Sequence, residues 1–175
     1  MALTLLLGGA RSGKSSLALR RALGFGGPVL FVATGEAGDD EMTERIARHR
    51  AERPATWTTV EASLELGRAL SAAPAEACVI VDCLSLWVAN LLLRGDDEET
   101  VMASALEAAR RAAGRTAPTI AVSNEVGMGV VPVHALGRRY RDVLGRVNAV
   151  WADAAAEATL VVAGRPLRLG AADGA

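Results

Sequence analysis

Short apolar runs alternate with amphipathic stretches along most of the chain. Leu3–Leu7, Val29–Ala33, Ala77–Asp82, Thr119–Ser123 and Thr159–Ala163 are near-continuous in leucine, valine, isoleucine and alanine. Runs of this kind predict strands buried on both faces, as in a parallel sheet. Trp57–Glu61 predicts a shorter strand and Leu167–Leu169 an added edge. Between them, helical spacing predicts helices over Ser15–Leu23, Asp39–Arg53, Leu64–Ser71, Leu84–Leu93, Glu98–Ala113 and Ala135–Ala156. Gly24, Gly26, Gly27 and Pro28 end the first helix, and Pro54 follows the second. Asn124–Pro132 reads as a glycine-containing loop, and Gly170–Ala175 as a frayed tail. Buried strands alternating with helices predict an α/β fold with a mainly parallel sheet flanked by helices. No repeat or long linker divides the chain, so residues 1–169 are expected to form one domain.

The 175 residues suffice for one sizeable core. Hydrophobic residues reach 51%, but no apolar run approaches the roughly 18–20 residues needed to span a bilayer. Met1–Leu7 lacks a basic segment before its apolar one and is not expected to be a signal peptide. A net charge of −1 and 3% aromatics argue against a nucleic-acid surface. Cys78 and Cys83 have neither disulfide-framework nor metal-ligand spacing. A soluble, cytoplasmic protein is the expectation. One count stands out: 18 of the 19 basic residues are arginine, and Lys14 is the single lysine. A site that needs a compact ammonium rather than a planar fork would retain it.

Lys14 sits in Gly8-Gly9-Ala10-Arg11-Ser12-Gly13-Lys14-Ser15, a full match to the phosphate-loop pattern. The match lies after a predicted strand and before a predicted helix, the context that gives it meaning. The glycines let backbone N–H groups turn towards an anion, and the helix N-terminus adds partial positive charge. Lys14 is placed to reach the β- and γ-phosphates of a nucleoside triphosphate, and the Ser15 hydroxyl to ligate Mg²⁺. A second metal-holding acid is expected at the end of another strand, and Val79-Ile80-Val81-Asp82 supplies one. A turn-initiating aspartate also fits that position. The guanine-reading Asn-Lys-x-Asp motif of regulatory GTPases cannot be present in a chain whose one lysine is Lys14.

On the charged helix, Met42, Ile46, His49 and Arg53 recur at helical spacing, which directs His49 towards the protein body. Arg48, Arg50 and Arg53 surround it in sequence. Two readings fit: a packing histidine in a basic helix end, or a nucleophile. A neutral imidazole nitrogen can attack the α-phosphorus of a nucleoside triphosphate and expel pyrophosphate. Nearby arginines would favour the neutral ring and hold the phosphates. His134, after Pro132, fits a capping or surface role.

Leu7–Ser15 resembles the opening of the cobinamide kinase/cobinamide-phosphate guanylyltransferase family. The resemblance continues through Ala33-Thr34, Asp39–Met42, Arg45-Ile46, His49-Arg50, Arg53-Pro54, Trp57, Asp82-Cys83-Leu84 and Asn90–Leu92. It continues through Ser123–Pro132, Arg141-Asp142 and Gly145–Asn148, so the motifs run in order over nearly the whole chain. The resemblance implies a RecA-like P-loop fold, a homotrimer and two activities. One phosphorylates the aminopropanol hydroxyl of adenosylcobinamide with ATP or GTP. The other transfers GMP from GTP to that phosphate through a histidine–GMP phosphoramidate. It implies the nucleophile at His49, beside the catalytic Lys14 expected from the phosphate loop, and nucleotide contacts at Gly8, Gly9, Ala10, Arg11, Ser12, Gly13, Lys14 and Ser15. It adds Thr34, Gly35, Glu36, Arg50, Ala51, Glu52, Arg53, Glu61 and Asp82, with Ser15 and Asp82 at the metal. Some members carry a histidine immediately before the nucleophile, where this chain has Arg48. The Asn124–Pro132 loop could line the corrinoid pocket or be a plain structural loop. The alternative enzyme is a single-function P-loop small-molecule kinase with a structural His49, and the non-enzyme alternative a nucleotide-binding regulatory module.

Overall fold

The computed structural model describes residues 3–38 and 40–170. Asp39 and residues 171–175 of the expected tail lie outside the described residues. In chain order the elements are β1 (Leu3–Leu7), α1 (Lys14–Leu23), β2 (Val29–Ala33), α2 (Asp40–Ala51), β3 (Thr58–Glu61) and α3 (Leu66–Ala72). There follow β4 (Cys78–Asp82), α4 (Leu84–Arg94), α5 (Glu98–Ala113), β5 (Thr119–Val122), α6 (Ala135–Ala154), β6 (Glu157–Val162) and β7 (Arg165–Leu169).

The strands form one seven-stranded sheet in the order β3-β2-β4-β5-β1-β6-β7. Every pairing is parallel except β6 with β7. The predicted mainly parallel α/β architecture is therefore the observed one. Parallel pairing puts the C-terminal ends of β1, β2, β4 and β5 along one edge, where the loops that carry the chemistry leave the sheet.

Alternation along the strands sorts the core into two layers. Leu3, Leu5, Val32, Val79 and Val81 face one side, where Leu84, Trp87, Leu144 and Trp151 from α4 and α6 cover them. Leu6, Phe31, Ile80, Ile120 and Val122 face the other, packed on Ala18 and Ala22 of α1. Burial on both faces is why these strands read as continuous apolar runs.

The elements differ from the sequence reading mainly near the C-terminus. The predicted strand Thr159–Ala163 begins earlier, at Glu157, and stops at Val162. Ala163 and Gly164 turn with positive φ of 49° and 76° and send β7 back antiparallel. Two consecutive positive-φ residues form the tight hairpin turn that matches strand twist. The expected edge over Leu167–Leu169 is thus the end of a five-residue strand.

That hairpin supports the loop between β1 and α1. The Gly164 N–H donates to the Ser12 carbonyl at 2.8 Å, and the Glu125 N–H to the Gly8 carbonyl at 3.1 Å. Gly8 has φ 152° and packs against the β6 backbone so closely that a Cβ there would sit 2.4 Å from the Val161 carbonyl oxygen. Backbone cannot retreat as a side chain can. Gly8→Ala is expected to destabilise the fold by about 1–3 kcal/mol, the usual range for overpacking. A lowered midpoint in urea unfolding checks this; an unchanged midpoint would show that the loop accommodates the methyl.

Candidate active site

The β1–α1 loop wraps the start of α1 with its backbone. Gly13 occupies the N-cap position at φ 98°, a left-handed conformation suited to glycine. Its carbonyl accepts from Leu17 at 3.0 Å, and no side chain caps the helix. The first N–H groups of α1 therefore open towards the cleft, as anion binding at a helix N-terminus requires. Lys14 is buried in the loop at 7% exposure, and its ammonium donates to the Gly9 carbonyl at 2.8 Å. Gly9, Ala10 and Arg11 form the exposed crest of the loop, while Gly8 and Ser12 are buried beneath it.

The cleft beside the loop is lined by Lys14, Ser15, His49, Arg50, Arg53 and Asp82, with Gly35, Glu61 and Asn124 at its edges. Lys14 and Ser15 come from α1, and Asp82 ends β4. His49 and Arg50 come from the last turn of α2, and Arg53 from just beyond it. β5 lies between β1 and β4. The phosphate loop and the acid thus belong to strands separated by one strand width.

Asp82 and Ser15 present two hard oxygen donors to one cleft, the chemistry that Mg²⁺ prefers. Among the described residues no cluster of three or more histidine, cysteine or acidic side chains could hold a metal by itself. A site with few protein ligands fits Mg²⁺, which commonly takes its remaining ligands from water and substrate phosphates.

His49 turns towards the protein body, with Nδ1 3.8 Å from Asp82 Oδ2. Ile46, one turn earlier, lines the same cleft; the Met42 side chain lies outside the described residues. In sequence His49 is surrounded by cations, and the fold adds an anion beside it. That pairing joins residues 33 positions apart, and no local pattern encodes it.

Arg53 bridges α2 and the sheet. Its guanidinium stacks over the Phe31 ring at 3.5 Å and donates to Thr59 Oγ1 at 3.4 Å. Its Nε is buried without a hydrogen-bond partner. Burial lowers its pKa from the ordinary arginine value; Asp82 opposes that shift and Arg50 adds to it. Guanidinium remains a cation under such perturbation, so a positive group is fixed in the cleft. Arg50 is looser, exposed and 3.8 Å from Glu61.

The remaining residues implied by resemblance are placed differently. Glu36, Ala51 and Glu52 are exposed and do not line the cleft. Thr34 is fully buried, and its hydroxyl donates to the Cys83 carbonyl and accepts from the Cys83 N–H, each at 2.7 Å. Cys83 follows Asp82 through a cis peptide bond, and burial, then Asp82, push its thiol up to about 11. His134 sits exposed at the N-cap of α6 and makes no capping bond through its side chain.

Sequence reasoning missed Phe31 and Thr59, while Asn124, from the loop offered as a pocket lining, is the residue of that loop that lines the cleft. Phe31 read as one more apolar residue in a strand. Asn124 lies just beyond the end of β5, at the strand ends. Its carbonyl accepts from buried Asn148 of α6 at 3.0 Å, and Asn148 Oδ1 accepts from Ser123 at 2.6 Å.

In overall architecture the chain is similar to the RadB recombinase, at 18% identity and TM-score 0.52 over 91% of this chain and 73% of that one. It is likewise similar to a second solved ATPase domain, at 14% identity and TM-score 0.51 over 91% and 68%. At such identities the likeness shows the fold, that of RecA-like P-loop ATPases. Two relatives are far closer in sequence. The bifunctional adenosylcobalamin biosynthesis protein CobP of Pseudomonas aeruginosa is 48% identical over 168 residues, covering 94% of this chain and 95% of the relative. CobU of Salmonella typhimurium, described in the same words, is 42% identical over 174 residues, covering 91% and 95%. The profile of the family described as cobinamide kinase / cobinamide phosphate guanyltransferase matches residues 4–169. Matched over residues 4–169, nearly its full length, the chain belongs to that family.

Proposed function

We propose that this chain carries out both reactions of its family, phosphorylation of adenosylcobinamide and guanylylation of the resulting phosphate, within the one cleft. The observation that carries the proposal is the convergence of Lys14, Ser15, His49, Arg53 and Asp82 there. A kinase alone needs the loop, the metal-holding acid and a positioned hydroxyl. It has no use for an imidazole from α2 beside them.

In the kinase step the acceptor hydroxyl oxygen bonds to the γ-phosphorus of ATP or GTP, the bond to the β-phosphate oxygen breaks, ADP or GDP leaves and the hydroxyl proton is released to water. Lys14 and the loop N–H groups stabilise charge on the transferring and leaving phosphates. Ser15 and Asp82 would hold Mg²⁺, which would supply positive charge to neutralise the nucleotide phosphates. In the second reaction an imidazole nitrogen of His49 bonds to the α-phosphorus of GTP and pyrophosphate leaves. A phosphate oxygen of adenosylcobinamide phosphate then displaces the imidazole, forming adenosylcobinamide-GDP and restoring His49. Arg53 supplies a fixed positive charge near the phosphates and Arg50 a looser, exposed one. Gly35 and Glu61, which line the cleft, contribute to the nucleotide site from the ends of β2 and β3.

The reading takes residues 1–169 as one catalytic domain, supported by the single sheet through which the described elements run. It takes the chain as a cytoplasmic homotrimer, in keeping with the family resemblance. Among the described residues no helix is long and apolar enough to cross a membrane. The acceptor is a small-molecule corrinoid rather than nucleic acid.

Lys14→Ala is expected to lower both activities by roughly a hundredfold or more, the usual cost of removing a preorganised electrostatic contact of about 3 kcal/mol. Lys14→Arg is expected to be poor as well, because a planar fork does not fit a loop closed around an ammonium. Rates of cobinamide phosphorylation and of pyrophosphate release measure both; retention of most activity in either variant would remove the phosphate loop from the chemistry.

His49→Ala is expected to separate the activities. Guanylyl transfer stops, since no phosphoramidate can form, while phosphorylation survives at least in part. Incubating the wild type with GTP labelled at the α-phosphate should leave an acid-labile, base-stable label on His49, as a P–N bond requires. An acid-stable adduct, or label on another residue, would overturn the histidine intermediate and leave the kinase reading standing.

A further inference from the structure

The resemblance implied Thr34 as a nucleotide contact. Its side chain is otherwise engaged. A threonine hydroxyl has one proton to donate, and that of Thr34 goes to the Cys83 carbonyl, while the same oxygen accepts the Cys83 N–H. The side chain is fully buried and does not line the cleft. The Thr34 backbone N–H donates to the Asp82 carbonyl at 3.2 Å, so one residue grips the chain on both sides of the Asp82–Cys83 junction.

Thr34 is held in turn. The side-chain amide of Asn90, on α4, donates to the Thr34 carbonyl at 2.8 Å and to the Ser63 carbonyl at 3.1 Å. The Ala62 N–H donates to the Ala33 carbonyl at 2.8 Å. The chain leaving β2, β3 and β4 is thereby tied into one bracket, with its knot on α4. Its outermost member towards the cleft is the Asp82 carboxylate.

From these contacts we infer that Thr34, locked by Asn90, is a positioning residue that sets the Asp82 carboxylate for metal binding and does not touch the nucleotide through its hydroxyl. The inference rests on the reading of Asp82 as the metal-holding acid. Outer partners that orient a metal-binding group commonly change metal affinity by roughly tenfold to a hundredfold when removed. A direct contact to nucleotide would instead show in nucleotide affinity with no metal present. Thr34→Val keeps the shape and removes both hydrogen bonds. Thr34→Ser keeps the hydroxyl.

The test is binding, read apart from turnover. The full chain is loaded with a non-hydrolysable GTP analogue and titrated with Mn²⁺, and free Mn²⁺ is followed by its paramagnetic resonance. A fluorescent GTP analogue in EDTA reports metal-free nucleotide affinity. In T34V, Mn²⁺ affinity is expected to fall about tenfold while metal-free nucleotide affinity stays within about twofold. T34S is expected to recover most of the Mn²⁺ affinity. Asn90→Ala, which releases the Thr34 carbonyl and leaves the hydroxyl in place, is expected to shift Mn²⁺ affinity in the same direction, and carries the test should T34V not fold. A loss of metal-free nucleotide affinity in folded T34V, or unchanged Mn²⁺ affinity in T34V and N90A, overturns the inference. Asp82→Asn run in parallel tells the two readings apart. If D82N weakens Mn²⁺ and T34V does not, the positioning role alone falls; if D82N leaves Mn²⁺ affinity unchanged, the metal-holding reading of Asp82 falls with it.

Discussion

A backbone that must turn its N–H groups towards one point within a few residues cannot also satisfy itself by regular pairing. The loop from Gly8 to Lys14 meets this constraint with positive φ at Gly8, Arg11 and Gly13, and with support from outside. The support comes from parts of the chain far away in sequence. Gly164 of the β6–β7 turn holds Ser12, and Glu125 after β5 holds Gly8. A loop of this curvature would be mobile by itself, because ordering each residue costs roughly 1–2 kcal/mol of conformational entropy. Anchoring it on two neighbouring strands makes the anion site part of the sheet edge, available before any nucleotide arrives.

The sheet order explains how one cleft collects its groups. β5 separates β1 from β4, leaving a gap one strand wide between the phosphate loop and Asp82. The basic last turn of α2 brings His49 and Arg50 to the cleft that Lys14, Ser15 and Asp82 line. His49 and Arg50 then face Asp82 and the loop instead of a hydrophobic layer. Arg53 reaches back to stack on Phe31, which fixes the exit of α2 against β2 through a cation–π contact and not through burial of an apolar side chain.

Much of this was legible in the sequence, for reasons that differ by residue. Leu3–Leu7 and Val29–Ala33 read as strands because both faces are covered, leaving no polar alternation to confuse them. The phosphate loop is a local motif and carries its meaning in consecutive positions. His49 read as inward-facing from helical spacing alone. The partners of these residues were not legible, because they depend on strand order. Nothing in consecutive residues says that His49 meets Asp82, that Gly164 supports Ser12, or that the Thr34 hydroxyl is consumed by Cys83. The turn at Ala163-Gly164 was missed for a smaller reason. Alanine at positive φ is unusual, and an apolar run ending in Ala163 looked like strand to its last residue.

Electrostatics constrain how two reactions could share the cleft. Its lining holds Lys14, Arg50 and Arg53 together with Asp82, Glu61 and His49. A triphosphate entering such a site meets an excess of cation supplied by groups of different kinds. The ammonium of Lys14 is buried and fixed by Gly9, suited to a phosphate lodged in the loop. Arg50 is exposed and only loosely paired with Glu61, so its fork can follow a phosphate outside the loop. Attack at the γ-phosphorus and attack at the α-phosphorus ask for charge at different points along the same chain of phosphates. A fixed ammonium at one end and an exposed guanidinium at the other suit both demands without moving the sheet.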